Sequence, residues 1–148
     1  MQITRETDYA IRCILYMSET PKRVTAVEEI AAAKNIPKSF LAKILQKLSK
    51  ADIVTSHAGI KGGFRLARDP KDVNLLTLVE VIQGPLALNA CVIVEGACNF
   101  RNLCSVHWAW VEIQEKLGDL LQEYDFERLL STQKTMERRK FYGKRAGV

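Results

Sequence analysis

A chain of 148 residues, 47% hydrophobic and 26% charged, can bury one core without disulfide staples and is too apolar to be a disordered polymer. Its longest nearly apolar stretch, Leu86 to Val94, is too short to span a bilayer, and the charged N-terminus lacks an export segment. A cytoplasmic location is expected, where four cysteines stay reduced and serve metal binding, redox chemistry or plain burial. The net charge of +5 is unevenly spread. Residues 38–71 carry eight Lys/Arg against Asp52 and Asp69, residues 76–131 are acidic, and residues 132–148 are basic again. A compact basic segment is either a solvated face or the footprint of a polyanionic partner.

The first predicted helix runs from about Glu6 to Ser18 and is apolar around most of its circumference, through Ala10, Ile11, Cys13, Ile14, Leu15 and Met17. Cys13 therefore reads as core. Thr25 and Glu28 have the spacing of a capping box, opening a short second helix that ends near Lys34. After the Asn35-Ile36-Pro37 turn, a third helix from about Lys38 to Lys50 is amphipathic. Leu41, Ile44, Leu45 and Leu48 form one stripe, with Ser39, Lys43, Gln46 and Lys50 opposite. Two short strands, Ile53 to Ser56 and Phe64 to Leu66, flank a segment containing Gly59, Gly62 and Gly63. Such a hairpin tip needs positive φ or close backbone approach. Two helices joined by a turn, then a hairpin, make a winged helix-turn-helix.

Leu75 to Ile82 reads as a short helix stopped by Gly84-Pro85. Residues 86–104 hold three cysteines and little periodicity, a loop organised by something other than a core. A long helix from about Ser105 to Gln122 then spaces Val106, Trp110, Ile113, Leu117, Leu120 and Tyr124 as a coiled-coil-like seam for a second subunit. Trp108, Val111 and Leu121 lie off that seam. A last turn over Asp125 to Leu130 precedes a basic tail expected to be mobile. The expected fold is mainly α with a small β-hairpin. It comprises a winged-helix DNA-binding domain over 1–84, a cysteine loop over 85–104, a dimerisation helix with a short terminal helix over 105–131, and the tail 132–148.

Helix-turn-helix proteins place the N-terminal part of the second helix in the major groove. Lys38, Ser39, Ala42, Lys43 and Gln46 occupy the positions that would face it. Lys43 and Gln46 have the reach to read base edges, whereas Lys38 and Ser39 suit phosphate. Lys47, Lys50, Lys61 and Arg65 would add counterion-releasing contacts, and the tip from Gly59 through Gly62 and Gly63 would lie along the minor groove with Lys61 as its cation. His57 reads as a phosphate neighbour. The competing account is that these lysines only keep an amphipathic helix soluble.

Cys91, Cys98, Cys104 and His107 form a second constellation, with six, five and two residues between them. Thiolates with an imidazole can hold an iron–sulfur cluster or zinc. The spacing is wider than that of zinc ribbons, so buried cysteines, a redox disulfide and structural zinc stand beside a cluster. Cys104 and His107 also have the spacing of a thiolate–imidazole nucleophile pair. No oxyanion site or phosphate-binding glycine loop accompanies them, and an enzyme, with a small-molecule substrate, is not expected.

The chain resembles the Rrf-two (Rrf2) family of bacterial winged-helix regulators over roughly residues 1–131. The resemblance rests on the opening Thr4-Arg5-Glu6-Thr7-Asp8-Tyr9-Ala10-Ile11-Arg12, the helix from Pro37 to Lys50 and the Gly59 to Phe64 wing. Asp72-Val73-Asn74-Leu75, Val79 to Ile82 and the three-cysteine loop also carry it. It implies a cytoplasmic homodimeric repressor that binds an operator duplex and no membrane; because the family also has cluster-free members, a zinc-bound or cluster-free regulator is the alternative. Cluster-bearing members hold a 2Fe–2S or 4Fe–4S cluster that senses iron, redox state or nitric oxide, through three loop cysteines matched by Cys91, Cys98 and Cys104. The fourth ligand is matched by His107 in IscR-like members and by Asp8 of the partner subunit in NsrR-like members. Two positions depart from the family's pattern. Ala58 stands where many members carry a wing arginine, and Ala42 where IscR-like members carry a glutamate, so neither target sequence nor site switching carries over.

Overall fold

The computed structural model describes residues 2–145. Helix α1 (Arg5–Met17) is started by Thr4, whose side-chain oxygen accepts from the Thr7 amide at 3.2 Å. Its buried face carries Ala10, Cys13, Ile14 and Met17. Helix α2 (Val27–Lys34) ends on Asn35, which turns left-handed at φ 51° so that the chain reverses into α3 (Lys38–Lys50). On α3 the stripe Leu41, Ile44, Leu45 and Leu48 is fully buried, as the helical spacing predicts.

The hairpin pairs β1 (Val54–His57) with β2 (Gly63–Leu66), antiparallel, with Val54 opposite Leu66 and His57 opposite Gly63. Its base is fastened to the helices. Thr25 and Phe64 exchange backbone hydrogen bonds of 2.8 and 2.9 Å. A Cβ on Gly63 would sit 2.2 Å from the Thr25 carbonyl oxygen, so only glycine allows this approach. Arg68 donates to the carbonyls of Ala51 and Asp52 at 3.1 and 3.0 Å, tying the second strand's exit to the end of α3.

The expected capping box does not form. Ala26 precedes α2 without a side-chain cap, Thr25 is buried by its pairing with Phe64, and Glu28 makes an ion pair with Lys38 instead. Tertiary pairing with the hairpin claims the threonine that local spacing assigned to the helix.

Helix α4 (Leu75–Gln83) is capped by Asn74, whose side-chain Oδ1 accepts from the Thr77 amide, and ends at Gly84 with φ 93°. Within the cysteine segment a single turn, α5 (Ala90–Ile93), and a 3-10 turn over Arg101–Leu103 lead into α6 (Ser105–Gln122). The chain then returns to the domain. Phe126, fully buried, donates its amide to the Val73 carbonyl at 3.0 Å.

Helix α7 (Phe126–Arg145) replaces the expected short terminal turn, because it runs through Ser131 without a break; of the expected tail, residues 146–148 lie outside the described residues. Gln133, Lys134, Met136, Glu137, Arg138, Arg139 and Lys140 are all good helix formers, and Gln133 bonds Glu137 one turn on at 3.0 Å. Among the described residues, no helix is long and apolar enough to cross a membrane.

Candidate nucleic-acid interface and cysteine site

The outer face of α3 presents Lys38, Ser39, Lys43, Gln46 and Lys50 to solvent, with Ala42 half-buried between them. Lys61 and Arg65 are exposed on the hairpin, while Gly62 and Gly63 form its tight inner path. Gln46, Ser49 and Lys50 line one cleft together with Ser56 and Phe64, so helix and wing make a continuous surface. The helix wall of this cleft carries Lys50, and the wing wall is Ser56 and Phe64; Arg65 lines a separate pocket with Thr55.

Two of the predicted contacts are already engaged within the chain. Lys47 turns inward, 2.8 Å from the Glu6 carboxylate and 3.2 Å from the Ile82 carbonyl. Lys38 pairs with Glu28 across the turn, and this ammonium donor holds the Glu28 carboxyl below its usual range. His57 is half-buried, and its Nε2 is covered without a hydrogen-bond partner among the described residues. Phe40, 53% exposed and edge-on to Tyr9 at 6.4 Å, escapes a reading based on charge. Its position off the Leu41–Leu48 stripe was the available signal.

At the other end, His107 is buried on the first turn of α6. Its Nδ1 lies 3.5 Å from Cys91 Sγ, and Arg101 Nε donates to its Nε2 at 3.4 Å. Trp108 packs edge-on against the imidazole, with ring centres 5.5 Å apart. Cys98, Arg101, His107 and Trp108 line an open cavity of about 740 Å³. Arg101 was the residue to find here, as the one Lys/Arg between Lys71 and Lys116. The three loop thiols are free and half-buried.

The donor set suits a thiophilic metal centre in kind. Only Cys91 and His107 are brought into contact, and among the described residues no three His, Cys, Asp or Glu gather at metal-binding range. Asp8, on α1, is held by Arg12 at 2.6 Å. Cys13 is in the core.

A three-helix unit with a fastened hairpin and a basic outer helix defines a winged-helix transcription regulator. The family model for Rrf2, iron-dependent transcriptional regulator, matches residues 3–132. The chain belongs to the Rrf2 family, whose members are regulators of transcription rather than enzymes. It is 30% identical to the HTH-type transcriptional regulator NsrR of Shouchella clausii over 148 residues, covering 93% of this chain and 99% of that one. Among solved structures it is similar to CymR, the global cysteine regulator of B. subtilis, with TM-score 0.72 at 21% identity, covering 89% of this chain and 98% of the other. It is also similar to T. potens IscR, with TM-score 0.70 at 18% identity, covering 90% and 88%. At those identities the structural likenesses speak for the fold.

Proposed function

We propose that the chain is a homodimeric repressor whose affinity for an operator duplex is set by an iron–sulfur cluster on Cys91, Cys98, Cys104 and His107. The observation that carries this reading is the buried His107 beside Cys91 at the start of α6, the helix that also carries an open apolar seam. A bound iron–sulfur cluster supplies iron that oxidants and nitric oxide can attack. Within the chain, His107 is the better fourth donor than Asp8, because it is buried next to a thiol while the Asp8 carboxylate is occupied by Arg12.

On the DNA side, Lys43 and Gln46 meet base edges, with Ser39 at the phosphates and Lys38 joining it by exchanging its exposed Glu28 partner for a phosphate. Lys50, Lys61 and Arg65 add charge along the backbone. The seam on α6 leaves Val106, Ile113 and Leu120 exposed at heptad spacing, a surface suited to a second copy of the same helix, while Tyr124, expected on that seam, lies beyond the helix end under Arg128. Two copies would present two reading helices to a two-fold operator.

Anaerobic purification followed by iron, sulfide and zinc analysis tests the centre, and duplex affinity with the centre present and removed tests the regulation. A brown protein with acid-labile sulfide, whose affinity changes on removal, supports the reading. Colourless protein with stoichiometric zinc, or affinity indifferent to removal, overturns the sensing half.

A further inference from the structure

The most exposed large apolar side chain among the described residues is Ile60, at 108% of its reference accessibility. It sits in the four-residue turn Gly59 to Gly62, closed by the Gly62 amide donating to the Gly59 carbonyl at 2.9 Å. A Cβ on Gly62 would fall 2.5 Å from the His57 carbonyl oxygen and 2.7 Å from that of Gly59. The turn is thus folded as tightly as glycine permits, and the Thr25–Phe64 pairing anchors its base. The tip is a tightly closed projection with Ile60 and Lys61 at its apex.

Scattered apolar residues on a surface are ordinary. Ile60 differs in its place. Turn centres favour Gly, Asn, Asp and Ser, and a β-branched chain with few rotamers is a poor choice for solvent but a good one for insertion. The wing's strands share a cleft with α3, lined by Gln46, Lys50 and Phe64, so the hairpin stands beside the reading helix and a duplex seated on α3 would lie within reach of its tip. Ala58 offers only a methyl there, leaving Lys61 as the cation of the apex.

We propose that Ile60 is an apolar wedge that enters the minor groove and partly unstacks one base step, with Lys61 on the adjacent phosphate. The inference rests on the DNA-binding reading above and adds a second mode of recognition to it. Apolar side chains inserted from the minor groove kink duplex DNA, and pyrimidine–purine steps yield most readily. The wing would then select for deformability, while α3 reads base edges.

The test uses the whole chain, purified anaerobically, and a duplex it selects from a randomised pool. 2-Aminopurine is placed at successive steps beneath the wing, and a fluorophore pair at the duplex ends reports bending. Wild type should brighten one step and bend the duplex. Ile60→Ala should lose both and bind about tenfold more weakly, whereas Ile60→Leu retains them. Circular dichroism confirms that each variant is folded. The wedge is overturned if wild type brightens no step, or if Ile60→Ala matches it in affinity and bend. A wild type with no salt-sensitive affinity for any duplex overturns the DNA-binding reading as well, which separates the two failures.

Discussion

Burial pushes the Cys13 thiol from its ordinary 9.0 up to about 12, because the core leaves a thiolate without water. The nearest sulfur partner, Met17 Sδ at 3.9 Å, offers no charge to offset that loss. The unfolded chain ionises Cys13 near pH 9 and the folded chain resists until about 12, so this residue's contribution is intact below pH 9 and declines between those values. Urea unfolding from pH 8 to 11 should therefore show wild type losing stability more steeply than Cys13→Ala; parallel curves would contradict the burial. Lys43 is the opposite kind of residue, exposed and without a side-chain partner among the described residues. If it reads a base, Lys43→Ala should weaken binding to the selected duplex by about 1–3 kcal/mol and scrambled DNA less. Equal loss on both would make it a phosphate contact.

The elements divide lysines that a sequence treats alike. Lys47 and Lys50 are both basic residues in the last turn of α3, yet Lys47 bridges Glu6 on α1 and the Ile82 carbonyl at the end of α4, whereas Lys50 faces solvent. Lys50→Ala should therefore lower the salt dependence of duplex binding by about one phosphate contact, and Lys47→Met should leave that slope unchanged. The half-exposed Lys47–Glu6 pair is worth at most about 1 kcal/mol in stability. A reduced slope in Lys47→Met would show that the lysine leaves its intramolecular partners for DNA.

What could be read in advance follows the same division. The boundaries of α6, the buried stripe of α3 and the glycine hairpin are set by local periodicity and turn chemistry, so they were legible. Thr25, Phe126 and Lys47 owe their places to backbone or charge partners far along the chain, which spacing cannot report. The continuation of α7 was hidden for another reason. A charge-rich helix with little apolar patterning looks the same as a solvated tail until its backbone is seen. At the cysteine site the donor types were legible, while the burial of His107 and the approach of Arg101 were not.

At the scale of the molecule, the cysteine segment joins two elements with different duties. It leaves α4 at Gly84, one residue past the glutamine whose side chain accepts from the Thr4 amide and Thr7 hydroxyl of α1. It ends at Cys104, the residue before α6. Under the proposed function, a change in its order would act on the packing that supports α3 and on the helix with the open seam. Coupling of about 1–3 kcal/mol between centre and duplex would suffice for a promoter switch. That transmission requires the seam to be covered by a second copy. Ile113 and Leu120 are half-exposed in the single chain, so a carboxylate at each costs little in the isolated fold but would be desolvated in a paired one. The double variant Ile113→Asp/Leu120→Asp should stay helical, sediment at the 16.7 kDa of one chain rather than twice that, and lose most of its affinity for a two-half-site duplex. If the variant keeps the mass of a pair, the subunits meet elsewhere, and the loop would have to reach the reading helices through α4 alone.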